Sequence, residues 1–232
     1  MGGALLQLVA YGSQDVYLIG NPQITLFKSV YKRHTNFALE VHDLSFKEQA
    51  DFGKKISVVI DRKGDLLSKC YLKLTIEENF STNSLYDILH NNGYAFIEYI
   101  ELEFGGQVID KHYGEWMNIW SELSLSHDKM KVLQRMIDPS VHSPIANKDS
   151  TIIYIPLQFF FCKNYGCSLP LIALQYQDII INVKFNNIDK VLRHVDYNTS
   201  SCCSSLKITD CLLSCEYIYL DSDERKQFAN CE

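Results

Sequence analysis

The chain has 232 residues, of which 47% are hydrophobic and 12% aromatic, and its net charge is −6. This composition argues against intrinsic disorder, and the chain is long enough for one substantial core or two small ones. All-β sandwiches of this size are commonly a single domain. The basic residues are scattered in pairs such as Lys32-Arg33 and Lys54-Lys55, so the clustered basic footprint of a nucleic-acid-binding surface is missing.

The amino-terminal residues 1–36 show no targeting signal. The first lysine is Lys28, and Leu6 stands where an N-myristoylation motif needs Ser or Thr. The longest apolar run, Ile152–Cys162, is interrupted by a proline and a glutamine, and a transmembrane helix needs about 18 uninterrupted apolar residues. We therefore expect a soluble, intracellular protein. A short helical turn is predicted over Ile24–Tyr31.

After residue 36 the apolar residues recur with a period of two, which predicts half-buried strands. Polar residues over Glu77–Asn92 predict a loop, and Gly105-Gly106 predicts a tight turn. The predicted strands of this half are Lys55–Asp61, Leu66–Ile76, Ala95–Phe104 and Gln107–Ile109.

Two later stretches follow the helical period instead. The first stripe consists of Trp116, Ile119, Trp120 and Leu123. The second consists of Met130, Leu133, Met136 and Ile137, and ends before Pro139. By spacing alone, the two tryptophans are expected to pack the first helix onto the sheets, and a role as interface anchors is the alternative.

Three further strands are predicted, over Thr151–Phe161, Asp178–Phe185 and Leu206–Leu220. Seven or eight strands with short helices in one connection predict an all-β fold, an antiparallel eight-stranded jelly-roll sandwich.

The cysteines do not predict a metal site. Cys211 and Cys215 lie four apart in a predicted strand, so their Cα atoms are about 13 Å apart, too far for two ligands of one zinc ion. Adjacent Cys202-Cys203 lack the spacing of a zinc knuckle. We interpret the eight cysteines as free, buried and inert thiols.

No catalytic set emerges from the sequence, so no catalytic, cofactor-binding or metal-binding residue is predicted. The histidines form no H-x-H pair, and nucleophile-elbow and phosphate-loop motifs are missing. Glu101 and Glu103 are expected on a solvated sheet face rather than as an acid/base couple. Asn79 and Asn198 begin N-x-Ser/Thr sequons in predicted loops, and chance occurrence is the favoured interpretation of both.

Several blocks in collinear order resemble the major capsid proteins of nucleocytoplasmic large DNA viruses. No single block carries the resemblance, which depends on the whole set. The blocks are Leu5–Leu18, Gly20–Thr25, Tyr31–Phe37, Gly105–Tyr113, Leu169–Tyr176 and Tyr217–Asp221.

The resemblance implies a structural protein of the virion, assembled in the cytoplasm of the infected host cell. Members of that family have two successive jelly rolls and form trimeric capsomers that tile an icosahedral shell. For this chain it implies an N-terminal segment at the base of the roll (1–36), a single roll (37–221) and a tail where a second roll begins (222–232). The expected partners are further copies and minor capsid proteins, and the candidate interface residues are Leu5, Leu6, Leu8, Tyr11, Trp116 and Trp120.

Other interpretations stay open. The sequence stops at Glu232, which fits a fragment, a split-gene product or a shortened paralogue, including a minor capsid-like protein outside the main lattice. A carbohydrate-binding roll for host attachment would need exposed aromatics such as Phe80 and Tyr86. A cupin-like enzyme would need a bound metal.

Overall fold

The computed structural model describes residues 35–79, 86–88, 93–138, 151–194 and 205–230. The chain divides into two units, Met1–Asn36 and Phe37–Glu232, and every element below belongs to the second. The strands are β1 (Phe37–Ser45), β2 (Lys55–Val59), β3 (Leu66–Asn79), β4 (Tyr86–Ile88), β5 (Ile97–Phe104), β6 (Gln107–Tyr113), β7 (Thr151–Pro156), β8 (Leu169–Pro170), β9 (Ile179–Phe185), β10 (Leu192–His194) and β11 (Ser205–Leu220). The α-helices are α1 (Gly114–Ser124), α2 (His127–Ile137), α3 (Ile188–Val191) and α4 (Ser222–Asn230). Three 3₁₀ turns span Gly93–Phe96, Phe160–Cys162 and Tyr165–Cys167.

Two antiparallel sheets dominate the described residues. One has the strand order β1-β11-β3-β7, with β8 also paired to β3, and the other has the order β2-β9-β5-β6. The chain moves repeatedly from one sheet to the other, so most neighbours in a sheet are distant in sequence. This arrangement of eight main strands confirms the predicted jelly roll. The remaining pair, β4 with β10, forms a small separate ribbon.

The core lies between the two sheets and is built from the alternating residues of their strands. The predicted inward residues of β3 are fully buried from Ser68 through Ile76, and those of β9 are buried from Ile179 through Phe185. Each large apolar side chain among them stabilises the fold by about 1.5–3 kcal/mol relative to leaving it exposed. The period-two prediction is therefore confirmed for these strands.

The structure corrects several predicted boundaries. The loop predicted over Glu77–Asn92 is wrong at both Glu77–Asn79, which extend β3, and Tyr86–Ile88, which form β4. Backbone pairing with β11 carries β3 to Asn79 despite its polar residues. The predicted strand Thr151–Phe161 ends at Pro156, beyond which the chain turns into the 3₁₀ segment Phe160–Cys162.

The turn predicted at Gly105-Gly106 is confirmed. Both residues have positive φ, 55° and 86°, as the type I′ turn of a two-residue hairpin requires. This turn joins β5 to β6, and β6 leads directly into α1. Both predicted helices are confirmed as α1 and α2, and Leu133 and Ile137 of α2 are buried as the sequence predicts.

Candidate interaction surface

A ladder of stacked aromatic rings fixes α1 against the roll. His112, near the end of β6, stacks on both Phe159 and Trp116, with ring centroids 5.2 and 4.5 Å away. Trp116 in turn stacks on Trp120 at 5.7 Å, and the Lys163 ammonium lies 5.3 Å from the centre of the Trp120 ring. Offset stacking and the cation–π contact hold both indoles in defined positions. We call His112, Trp116, Trp120 and Phe159 the aromatic ladder.

The apolar stripe of α1 faces outward, which corrects the expectation that it packs the helix onto the sheets. Ile119 and Leu123 are 56% and 79% exposed, and Trp116 and Trp120 are 37% and 38% exposed. The buried face of α1 is instead made by Gly114, Met117 and Ser121. Two of these three residues are small, so the helix backbone approaches the roll closely. We call Trp116, Ile119, Trp120 and Leu123 the α1 stripe.

A second apolar surface lies on the outer side of the β1-β11-β3-β7 sheet. Its edge strands expose Phe37, Leu39 and Val41 on β1 and Ile152 and Tyr154 on β7. No strand is predicted over Phe37–Ser45, although the alternation of Phe37, Leu39 and Val41 is visible there. β1 is an edge strand in the described part of the chain, and these three side chains are about half exposed.

Glu101 is buried, which corrects the prediction that it lies on a solvated sheet face. Its carboxylate lies 2.8 Å from the Lys55 ammonium and 3.0 Å from that of Lys111. Burial opposes the charge of Glu101, but the two lysines outweigh it, so the pKa of this carboxyl lies below its usual value. Glu103 accepts a hydrogen bond from the Asn182 amide instead. The two carboxylates thus brace the sheet and are not poised as an acid/base couple.

Comparison with known proteins decides what this roll is. Residues 25–221 match the family model described as the major capsid protein N-terminus. The chain belongs to this family. The resemblance predicted from the sequence is therefore confirmed.

Individual members of the capsid family are similar along nearly the whole chain. Capsid protein 1 of Acanthamoeba polyphaga mimivirus is 44% identical, covering 99% of this chain and 42% of its own length. The major capsid proteins of Pyramimonas orientalis virus and Paramecium bursaria Chlorella virus 1 are 42% and 38% identical, covering 99% of this chain and 56% and 50% of theirs. This chain therefore spans about half the length of these curated relatives.

Solved capsid structures share the fold. The crystal structure of PBCV-1 VP54, fitted into a reconstruction of the virophage Sputnik, superposes with a TM-score of 0.72 at 31% identity, over 89% of this chain and 48% of that one. The Faustovirus major capsid protein superposes with a TM-score of 0.70 at 9% identity, over 97% of this chain and 62% of that one. The second likeness shows the jelly-roll fold alone.

Other residues singled out in the sequence fall partly outside the described residues. Asn79 is the last residue of β3, not a loop residue as predicted, and its side chain is not described. The side chain of Tyr86 on β4 is not described either. The residues that lie wholly outside are Leu5, Leu6, Leu8, Tyr11, Phe80, Asn198, Cys202 and Cys203.

The thiols are only partly as predicted. Cys70, Cys211 and Cys215 are free and buried, but Cys162 is partly exposed and Cys167 is exposed. Among the described residues, no group of three His, Cys, Asp or Glu side chains is arranged to hold a metal ion. No helix in the described part of the chain is long and apolar enough to cross a membrane.

The position of His112 at the base of the aromatic ladder is not predicted from the sequence. The visible signal is the recurrence of His112, Trp116 and Trp120 at intervals of four, although the partner ring of Phe159 lies far away in sequence. The imidazole is 12% exposed, and its Nε2 lies 3.1 Å from the Asp110 carboxylate. Burial lowers the pKa of His112, and nearby Lys163 adds to this, while Asp110 acts in the opposite direction.

The unfolding free energy should therefore depend on pH through His112. Because its pKa is lowered in the folded state, its stabilising contribution is complete above about pH 6.5, the ordinary value for histidine. The contribution is lost as the pH falls through the lower folded pKa. His112→Phe keeps a stacking ring but cannot take up this proton. Measured by urea unfolding, its free energy of unfolding should therefore fall less than that of the wild type as the pH is lowered through this range. An equal loss in both proteins would contradict this role, and His127→Phe, at the exposed start of α2, is the control.

Proposed function

We propose that this roll is a non-enzymatic building block of a viral capsid and assembles with further copies of itself through the α1 stripe. The observation that carries the proposal is the outward position of that stripe on a chain of the capsid family. A helix that packed only against its own roll would bury its apolar residues. Here the ladder fixes the tryptophans and leaves Ile119 and Leu123 largely uncovered.

The chemistry of the α1 stripe suits a hot spot between protein subunits. Tryptophans held in one conformation lose little entropy when a partner covers them, and they are enriched among residues that dominate binding energy. Exposed Glu115 and Glu122 on the same helix supply a polar rim. In the proposed assembly the N-terminal segment 1–36 lies at the base of the roll. Its proposed contact residues there are Leu5, Leu6, Leu8 and Tyr11.

The proposal extends to the assembly itself. The roll 37–221 forms a homotrimeric capsomer when a second roll is supplied after the tail 222–232, and it meets minor capsid proteins. Assembly takes place in the cytoplasm of the infected host cell, with no direct contact to nucleic acid. The net charge of −6 supports this last point, because phosphate backbones repel an acidic surface.

Association of the purified chain tests the proposal. Sedimentation equilibrium over a concentration series should show self-association, and the double variant with Ile119→Ser and Leu123→Ser should weaken it by about tenfold or more. Both side chains are largely exposed, so the unfolding midpoint should change little. Tyr176→Ser, at a 98% exposed position, is the control and should associate like the wild type. A wild-type chain that stays monomeric, or a double variant that associates normally, would refute self-association of this roll through the α1 stripe.

A further inference from the structure

Three cysteine thiols among the described residues lie close together in the roll. Cys70 on β3 and Cys215 on β11 are direct partners in the antiparallel register, and both are fully buried. Their sulfur atoms are 3.7 Å apart. Cys162, at the end of the Phe160–Cys162 turn that packs against β3, is the third thiol next to Cys70. The three sulfurs therefore form one connected cluster, which the structural role of the roll does not require.

The backbone around Cys70 and Cys215 suits a disulfide bond. Directly opposed residues of antiparallel strands have Cα atoms about 4.5–5.5 Å apart, which lies inside the range of about 4.4–6.8 Å found for disulfides. The two sulfurs already face each other across the strand pair. Rotation about the side-chain bonds of these two cysteines can therefore bring the sulfurs into bonding distance, with both strands left in register.

Access to this cluster is through Cys162. Cys70 and Cys215 are closed off from solvent, whereas Cys162 is partly exposed. Hydrogen bonds from Cys162 and Cys215, together with burial, raise the pKa of the Cys70 thiol well above its usual value. Because the thiolate is the reactive form, Cys70 resists direct attack by a dissolved oxidant. Within this cluster an oxidant therefore meets Cys162 first, and Cys162 is the thiol that leads on to Cys70.

We propose that Cys162, Cys70 and Cys215 form a thiol relay, in which a peroxide entering at Cys162 oxidises Cys70 and Cys215 to a disulfide that ties β3 to β11. The relay is a modification site, and its co-reactant is a hydroperoxide such as hydrogen peroxide. The assembly proposed above supplies its setting, because a capsid leaves the reducing host cell for an oxidising exterior. The thiol chemistry itself does not depend on assembly.

The relay has three steps. The Cys162 thiolate attacks one peroxide oxygen, so that an S–O bond forms, the O–O bond breaks, and a sulfenic acid and one water result. Cys70 then passes its proton to the sulfenic hydroxyl as its sulfur attacks the Cys162 sulfur, so that an S–S bond forms, the S–O bond breaks and the second water leaves. Finally the Cys215 sulfur attacks the Cys70 sulfur, and the Cys215 proton passes to the departing Cys162 sulfur, which becomes a free thiol. In sum, two thiols lose two electrons and two protons, and one peroxide becomes two waters.

The test treats the purified, folded full chain with hydrogen peroxide, alkylates the remaining thiols and identifies the linked peptides by mass spectrometry. We expect a Cys70–Cys215 disulfide, and a rise in the unfolding midpoint of about 5–10 °C because this link closes a very long loop. Cys215→Ala should abolish both changes. Cys162→Ser should slow formation of the link by about tenfold, because the entry thiol is gone.

Matched variants separate the relay from general thiol oxidation. Cys167→Ser removes an exposed thiol, and Cys211→Ala removes a buried one on the same strand as Cys215. Neither should change the rate at which the Cys70–Cys215 link forms. The proposal is overturned if the folded wild type keeps Cys70 and Cys215 free while Cys162 or Cys167 is oxidised, or if Cys162→Ser forms the link at the wild-type rate. Neither result bears on self-association, which is measured separately under reducing conditions.

Discussion

Replacing Gly114 with alanine should destabilise the roll by about 3 kcal/mol or more. Gly114 begins α1, and an added methyl group would overlap the backbone carbonyl oxygens of Tyr94 and Ile97. These oxygens belong to the 3₁₀ turn and the first residue of β5, which form part of the rigid core. Because backbone atoms cannot rotate away as a flexible side chain can, the helix would have to move off the roll.

Gly166→Ala is the matched control for this substitution. No atom of the described residues lies within 4 Å of the methyl group that alanine would add at Gly166. The unfolding free energy of Gly166→Ala should therefore stay within about 0.5 kcal/mol of the wild-type value. Urea unfolding followed by tryptophan fluorescence measures both variants and also reports on Trp116 and Trp120. If Gly114→Ala were as stable as Gly166→Ala, α1 would not be seated where the structure places it.

Gly114 also explains why the sequence pattern predicts α1 but not the face on which it packs. The apolar spacing from Trp116 to Leu123 correctly indicates a helix. A hydrophobic stripe usually marks the buried side, yet here Gly114 and Ser121 turn inward and allow close backbone contact. That preference depends on the carbonyl groups of Tyr94 and Ile97, which lie in the 3₁₀ turn before β5 and at the start of β5. The apolar spacing within α1 contains no information about them.

In the sheets, too, the local alternation of residues could be predicted from the sequence, whereas contacts between distant residues could not. The alternation in β3 and β9 fixes which residues are buried, because the side-chain period of a strand is two. The prediction that Glu101 is solvated is wrong because its two lysine partners come from other strands, and one of them, Lys55, lies 46 positions earlier. Cys70 and Cys215 are 145 positions apart, so their contact follows only from the jelly-roll order of strands.

The family could be recognised from the sequence because its blocks occur in order along the chain, and the comparisons confirm it. The interface stays a prediction, since four of its six candidate residues lie in 1–36, outside the described residues. For Trp116 and Trp120 the structure supplies what spacing could not, namely the side of the helix that faces solvent. Phe159, the ladder residue on which His112 stacks, follows β7, so α2 and β7 separate it from α1 in the sequence.

Replacing Asp65 with alanine should cost about 3 kcal/mol of unfolding free energy. The Asp65 carboxylate is buried and accepts hydrogen bonds from the Leu220 backbone N–H at 2.8 Å and from the Arg225 guanidinium at 3.0 Å. It thus joins the start of β3 to the end of β11 and anchors α4 to the roll. Alanine would leave the Leu220 N–H without this acceptor and would free the helix that follows.

Asp61→Ala provides the comparison, because the exposed Asp61 carboxylate makes a surface ion pair with Lys63 at 3.4 Å. Such pairs contribute between about 0 and 1 kcal/mol, so this variant should remain close to the wild type in urea unfolding. Arg225→Ala, made in the wild type and in the Asp65→Ala background, completes a double-mutant cycle. If Arg225→Ala destabilises the wild type but not the Asp65→Ala protein, the ion pair anchors α4. Equal effects in both backgrounds would show instead that Asp65 acts through the Leu220 N–H alone.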